Sequence, residues 1–268
     1  MLPDIKSIEL PTGVTLEYAE QGDSSGTPVL FLHGLSDSWH SFELILPLLP
    51  KSLHAFALTQ RGHGDSSRPE AGYLFRDFAA DVAAFMDALD LPSAVIVGHS
   101  MGSGITRRFA LDYPERARGL VLAASFASFA TNPGAQQLWE EGVSEMEDPV
   151  DPDFVREFQV STISQPVPEA FLETIVRESL KMPARVWKAS VAGSLQEDFK
   201  GPGRIEVPTL LIWGDHDEMV PHSDQIEQTA EIPDSRLVVF EGTGHAVHWE
   251  QPDRFASDVV RFIERLGP

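Results

Sequence analysis

An α/β fold, with a mostly parallel sheet wound on both faces, is what this sequence predicts, and three observations predict it. Short β-branched apolar runs alternate along the chain with segments whose apolar residues recur at helical spacing. Several of those runs are apolar throughout, as strands buried on both faces of a parallel sheet are. The length of 268 residues suits one large domain of this kind with an elaboration, or two small domains.

Taken in order, residues 5–10 and 14–20 flank Pro11-Thr12-Gly13 and read as a hairpin. Residues 28–32 form a continuous apolar run ending at His33-Gly34, as a buried strand would. A short helix is predicted over 41–49 and a strand over 54–59, followed by the loop Gln60-Arg61-Gly62-His63-Gly64-Asp65-Ser66. Residues 75–89 carry Phe78, Val82, Phe85, Met86 and Leu89 at helical spacing. The strand 94–97 leads into Gly98-His99-Ser100-Met101-Gly102, and a helical pattern follows to Tyr113. Further strands are predicted over 118–124, 210–213 and 237–240, and a closing helix over 254–266.

Residues 126–203 break this rhythm. They hold no convincing strand, but helical patterns near 135–145, 152–161, 169–180 and 185–195, separated by Pro149, Pro152, Pro166, Pro168 and Pro183. The stretch reads as a helical cap (126–203) inserted into a core formed by 1–125 and 204–268, with Gly201-Pro202-Gly203 as the return hinge.

Composition narrows the function. The formal charge of −21 opposes binding to nucleic acid or to an anionic membrane surface, and its plain reading is solubility. The chain has no cysteine, which excludes disulfides, thiolate catalysis and cysteine metal sites. No apolar core of a signal peptide follows Met1-Leu2-Pro3, and no run approaches the roughly 18–20 apolar residues of a membrane helix. A cytoplasmic location is the default expectation; oligomeric state is left open.

The pentapeptide Gly98 to Gly102 is the most specific feature. A G-x-S-x-G between a strand and a helix is a nucleophile elbow, in which the serine sits on a tight turn with its oxygen exposed. Glycine two residues to either side avoids bulk that would block the turn. A serine hydroxyl needs a base, usually a histidine oriented by a carboxylate. Candidates follow in the order Ser, Asp, His: Asp215 and Asp217 in Gly214-Asp215-His216-Asp217-Glu218-Met219-Val220-Pro221, and His245 in Gly242-Thr243-Gly244-His245. All sit in predicted loops at strand ends, the edge where open α/β sheets bind ligands. The backbone N–H of Met101, just after the serine, is one expected oxyanion donor.

Over nearly its full length the sequence resembles the α/β-hydrolase fold superfamily. The resemblance rests on His33-Gly34, Arg61 to Ser66, Gly98 to Gly102, Gly214 to Pro221, and Gly244-His245 with Glu250 and Pro252. It implies Ser100 as nucleophile, His245 as base, and, from the pattern G-x-x-D-x-x-V-P, Asp217 rather than Asp215 as the acid. It points to the Leu35 N–H as the second oxyanion donor. The implied activity is hydrolysis of a small or medium carboxylic ester or lactone without a cofactor. Alternatives within the fold are a carbon–carbon bond hydrolase, an acyltransferase or perhydrolase, a slow-turnover ligand receptor, and a catalytically silent binding protein.

Departures from the family patterns narrow this further. Epoxide hydrolases and haloalkane dehalogenases carry aspartate where Ser100 stands, and Tyr18, Tyr73 and Tyr113 all lie outside the cap. Ala246 follows His245 where the carbon–carbon hydrolases commonly have Trp. Thr59 stands where the loop D-x-R-G-x-G-x-S has its aspartate, which puts the bracing of that loop in question, and Ser103 replaces a frequent third glycine. His99 is expected to pack behind the elbow, His63 to be structural, and Asp65 and Asp81 to be surface or loop carboxylates. His216, His222 and His248 with Asp215 match no zinc motif, so no metal is expected. No G-x-G-x-x-G or P-loop occurs, so no nucleotide cofactor is inferred. The cap aromatics, Phe126, Phe129, Trp139, Phe154, Phe158, Phe171 and Trp187, should pack onto the core, and Trp39, Phe126, Trp187 and Met219 are the expected pocket residues.

Overall fold

A computed structural model describes residues 3–199 and 204–267 of the chain. Eight strands form one sheet: β1 (Asp4–Glu9), β2 (Thr15–Gln21), β3 (Thr27–Leu32), β4 (Leu53–Leu58), β5 (Ala94–His99), β6 (Ala117–Ala123), β7 (Thr209–Gly214) and β8 (Ser235–Phe240). Their order is β1-β2-β4-β3-β5-β6-β7-β8. The first two pairings, β1 with β2 and β2 with β4, are antiparallel and all others parallel. This is the doubly wound, mostly parallel sheet expected. Gly13, at φ 81°, closes the hairpin between β1 and β2.

Strands β4, β5 and β7 are buried along their whole length, which accounts for their unbroken apolar runs. One face of the sheet packs on α1 (Phe75–Ala88) and α2 (Met101–Asp112) through Phe78, Phe85, Ile105 and Phe109. The other packs on α9 (Pro252–Arg265) and the turns at 39–48 through Phe42, Phe255, Val259 and Ile263.

Between β6 and β7 the described residues form helices and no strand: α3 (Pro133–Gln137), α4 (Pro152–Ser161), α5 (Glu169–Ser179) and α6 (Ala184–Ser194). The helix expected near 135–145 is instead the short α3 followed by a wider turn over Leu138–Val143. The helix expected over 41–49 is two 3-10 turns, Trp39–Phe42 and Leu46–Leu48, with Pro47 at the head of the second. Gly201-Pro202-Gly203, read as the hinge, lies outside the described residues. The helix α7 (His222–Glu231) and the single turn α8 (Val247–Glu250) had no sequence counterpart. No helix among the described residues is long and apolar enough to cross a membrane.

Asp81 corrects an expectation. It is neither on the surface nor in a loop; it lies on α1, 3% exposed. Arg61 Nε and Nη2 each donate to it at 2.6 Å, a buried bidentate pair that ties the 60–66 loop to α1. Asp65 is exposed as expected and pairs with Lys181 at 2.6 Å. The loop is also braced at its start. Thr59 Oγ1 accepts from the Trp39 N–H at 3.2 Å, and the Thr59 carbonyl accepts from Ser66 Oγ at 2.6 Å.

Candidate active site

The elbow explains its own glycines. Ser100 holds φ 53° and ψ −119°, a left-handed conformation rare for a non-glycine residue, and is kept there by its surroundings. A Cβ on Gly98 would lie 2.3 Å from the Gly102 carbonyl, and one on Gly102 would lie 2.1 Å from the Leu32 carbonyl. Only hydrogen fits at both places, so β5, the turn and α2 approach more closely than any side chain would permit.

The loop after β8 brings His245 to this turn, and the loop after β7 brings Asp217 to His245. Ser100 Oγ lies 2.8 Å from His245 Nε2, and His245 Nδ1 lies 2.9 Å from Asp217 Oδ2. A carboxylate only accepts, so the proton sits on Nδ1 and Nε2 is left to accept from the serine. Asp217 Oδ1 accepts from the N–H groups of Met219 and Val220, both at 2.9 Å. Asp217's side chain is fully buried and His245's nearly so, which strengthens their interaction. Asp215 is exposed, accepts from the Gly242 N–H at 2.6 Å, and so braces the loop that carries His245.

Buried neutral histidines support this line. His99 Nε2 donates to the His245 carbonyl at 3.1 Å. His33 Nδ1 donates to the Gly34 carbonyl at 2.7 Å, and its Nε2 accepts from the Gln60 N–H at 3.0 Å. Burial holds the His33 and His99 rings well below the usual histidine range and lowers His63 to about 4 and His248 to about 3. Of the histidines considered as metal ligands, His216 is exposed, His222 stacks on Trp213, and buried His248 meets Ser41 Oγ at 3.0 Å.

Two backbone amides flank the serine. Met101 opens α2, where an N–H has no intrahelical acceptor, and neither it nor the Leu35 N–H bonds a protein acceptor among the described residues. Leu35, Ser100 and Met101 share the wall of a cavity of about 470 Å³. Phe126 and Met219 line it, with Phe129, Leu138, Phe154, Phe158 and Val191. Trp39 and Trp187, also expected there, do not. Trp39 stacks on His40 and packs beneath the sheet with Phe42. Trp187 is fully buried one layer behind the wall, its ring edge-on to Phe154 and Phe158. Glu141 and Glu218 are the charged lining residues; no lysine or arginine is among them.

Sequence reasoning missed a polar group behind the Leu35 loop. Asp37 is buried, accepts from Ser41 Oγ at 3.1 Å and from Gln159 Nε2 at 3.2 Å, and burial pushes its carboxyl up to about 7. Glu250 is a second connector. Its carboxylate accepts from the N–H groups of Gly244 at 2.8 Å, Gln165 at 2.6 Å and Ser164 at 3.2 Å, which joins the His245 loop to the segment after α4. The Ala246 N–H adds a bond to the Thr162 carbonyl at 2.8 Å.

Comparison with known proteins gives consistent results. The family described as alpha/beta hydrolase fold matches residues 27–252. A non-heme chloroperoxidase of Streptomyces lividans is 28% identical, over 94% of this chain and 97% of its own. Lipase 1 of Psychrobacter immobilis is 27% identical, over 97% of this chain and 84% of its own. Among solved structures, an esterase from Rhodococcus sp. ECU1013 superposes with a TM-score of 0.80 at 25% identity, covering 98% of this chain and 99% of that one.

Proposed function

The chain belongs to the alpha/beta hydrolase fold family, and from that premise we propose that it is a serine hydrolase of carboxylic esters or lactones, of small to medium size, working through an acyl-enzyme. The observation that carries this reading is the unbroken hydrogen-bond line from Ser100 Oγ through His245 to Asp217, at 2.8 and 2.9 Å. Esterase and lipase names among its relatives agree with it.

In this reading His245 Nε2 takes the Ser100 proton as Oγ attacks the ester carbonyl carbon, and the carbonyl electron pair moves onto oxygen. The Leu35 and Met101 N–H groups receive that oxyanion. Asp217 stabilises the imidazolium and keeps its Nδ1 proton directed away from the serine. The tetrahedral intermediate then expels the alkoxide, which takes the proton from His245 Nε2 and leaves as alcohol. Water, deprotonated by the same nitrogen, attacks the acyl carbon; Ser100 departs with the proton and the acid is released. No cofactor takes part. Residues 126–203 act as a cap whose aromatic side chains receive the apolar part of the substrate. The apolar wall suits an uncharged acyl or alcohol group.

A second reading has hydrogen peroxide in place of water at deacylation, giving a peracid. It is favoured by the non-heme chloroperoxidase relative. The test is turnover of p-nitrophenyl acetate and butyrate by the wild type and Ser100→Ala, with intact mass after a fluorophosphonate probe. Multiple turnovers lost in the variant, with one adduct on Ser100, are expected; full activity in Ser100→Ala overturns the proposal. Peracid formed faster than acid, with peroxide present, selects the second reading.

A further inference from the structure

The loop that carries Leu35 is held from two sides. On the sheet side, the His33 ring bonds the Gly34 carbonyl at 2.7 Å and Thr59 Oγ1 receives the Trp39 N–H at 3.2 Å. Between these anchors lie Ser36 and Asp37. Ser36 adopts φ 63°, a conformation a non-glycine residue keeps only when its neighbours enforce it. Those neighbours come from the helical segment. Gln159, on α4 and 1% exposed, points its Nε2 at Ser36 Oγ (3.1 Å), Asp37 Oδ1 (3.2 Å) and Ser179 Oγ on α5 (2.9 Å). Ser36 Oγ itself donates to Ser179 Oγ at 3.3 Å, and Ser179 Oγ donates in turn to the Ile175 carbonyl at 2.9 Å.

A buried primary amide is an unusual choice for a helix face that only has to fill space. An apolar side chain of the same length would pack there without needing partners. The two N–H groups of the amide are shared among three acceptors, two on the loop below and one on the helix beside it. The burial that raises Asp37 makes its charged form dependent on the Gln159 and Ser41 donors. The next residue toward the cavity is Leu35, whose N–H faces no protein acceptor among the described residues.

We propose that Gln159 is a positioning residue: acting through Ser36 and Asp37, it holds the Leu35 amide of the oxyanion loop in its working geometry from across the helical segment. The inference rests on the serine-hydrolase reading above. It makes the seating of the helices over the sheet a condition of oxyanion stabilisation, beyond their part in shaping the pocket.

The experiment compares wild type, Gln159→Met, Ser179→Ala and Ser100→Ala on p-nitrophenyl butyrate. It adds the inhibition constant of butylboronic acid, which forms a tetrahedral adduct on an active serine, and thermal melting. Gln159→Met keeps the length of the side chain and removes its donors. A lost or shifted amide should lower kcat by about 10- to 100-fold, with KM within about twofold. The boronate constant should rise by the same factor as kcat falls. Ser179→Ala should show the same pattern with a smaller loss, and it decides the matter if Gln159→Met does not fold. A lowered melting temperature with kcat and boronate affinity unchanged would make Gln159 a structural filler and overturn the proposal. So would a loss confined to KM. Ser100→Ala separates the two readings. If it is dead while Gln159→Met turns over like wild type, only this inference fails. If it retains activity, the serine-hydrolase reading fails and this inference with it.

Discussion

Replacing Asp217 by asparagine changes one oxygen for an amide group of nearly the same size, and the structure dictates which oxygen is lost. The Met219 and Val220 N–H groups both point at Oδ1 from 2.9 Å. Placing the new NH₂ there would set three donors against one another, at a cost of about 1–3 kcal/mol for each donor left unpaired. The amide nitrogen therefore turns to the other side, where His245 Nδ1 lies 2.9 Å from the carboxylate. There it donates, which forces the ring proton onto Nε2, the nitrogen 2.8 Å from Ser100 Oγ. A protonated Nε2 cannot accept from the serine. The variant should lose on the order of 10⁴ in kcat, about 5 kcal/mol of barrier, while its melting temperature barely moves. Asp215→Asn is the control. Asp215 is exposed and accepts a single bond from the Gly242 N–H, which an asparagine oxygen also accepts, so its loss should stay within about threefold. The assay is kcat/KM on p-nitrophenyl butyrate with melting curves for both. Equal losses in the two variants, or a tenth of wild-type activity surviving in Asp217→Asn, would refute the reasoning.

Three further outcomes are expected. Asp81→Ala leaves the Arg61 guanidinium, 6% exposed, without its carboxylate, and urea unfolding should show a loss of about 3–5 kcal/mol; Asp112→Ala, which breaks a surface i,i+4 pair with Arg108, should cost about 0.5 kcal/mol or less. Because burial raises Asp37 in the folded state from its ordinary 3.8 to about 7, its contribution to stability is fully present below about pH 3.8 and lost as pH rises through 7. Asp37→Asn removes that dependence, so its melting temperature relative to wild type should be higher at pH 8 than at pH 5; no difference between the two pH values would contradict the burial argument. Glu141 and Glu218 place two negative charges on the cavity wall, and no lysine or arginine lines it among the described residues. The double change to glutamine should raise kcat/KM for mono-p-nitrophenyl succinate over that for the butyrate by roughly fivefold, about 1 kcal/mol of relieved repulsion, and added salt should shrink the gain.

The sheet was legible because its central strands are buried on both faces and leave unbroken apolar runs in the chain. The serine turn was legible because steric necessity places glycine at 98 and 102. Other parts were not, for equally physical reasons. Helix α7 turns Gln225 and Gln228 inward, where their amides bond the Ser125 carbonyl at 2.8 Å each, while Ile226 is exposed. Its polarity is inverted, so apolar periodicity is silent there. Asp81 reads as an ordinary polar residue on a helix, and only the fold brings Arg61 to it from 20 positions away. Trp187 shares its helical spacing with true wall residues but lies one layer deeper, a distinction periodicity does not carry. The Gln159 contacts span more than 120 positions to the Leu35 loop, and no local pattern joins the two.

The carboxylate of Glu250 belongs to the chain's last helical region, yet two of its three bonds go to backbone N–H groups of Ser164 and Gln165. This has a consequence for building chimeras from relatives of this fold. Transplanting the helices between β6 and β7 alone would bring in a foreign backbone at 164–165 and a foreign side chain at 159, while their counterparts at 36, 37 and 250 stayed with the recipient. A transplant meant to carry its donor's selectivity should therefore bring the donor's residues at those three positions as well, although none of them lies within the exchanged stretch.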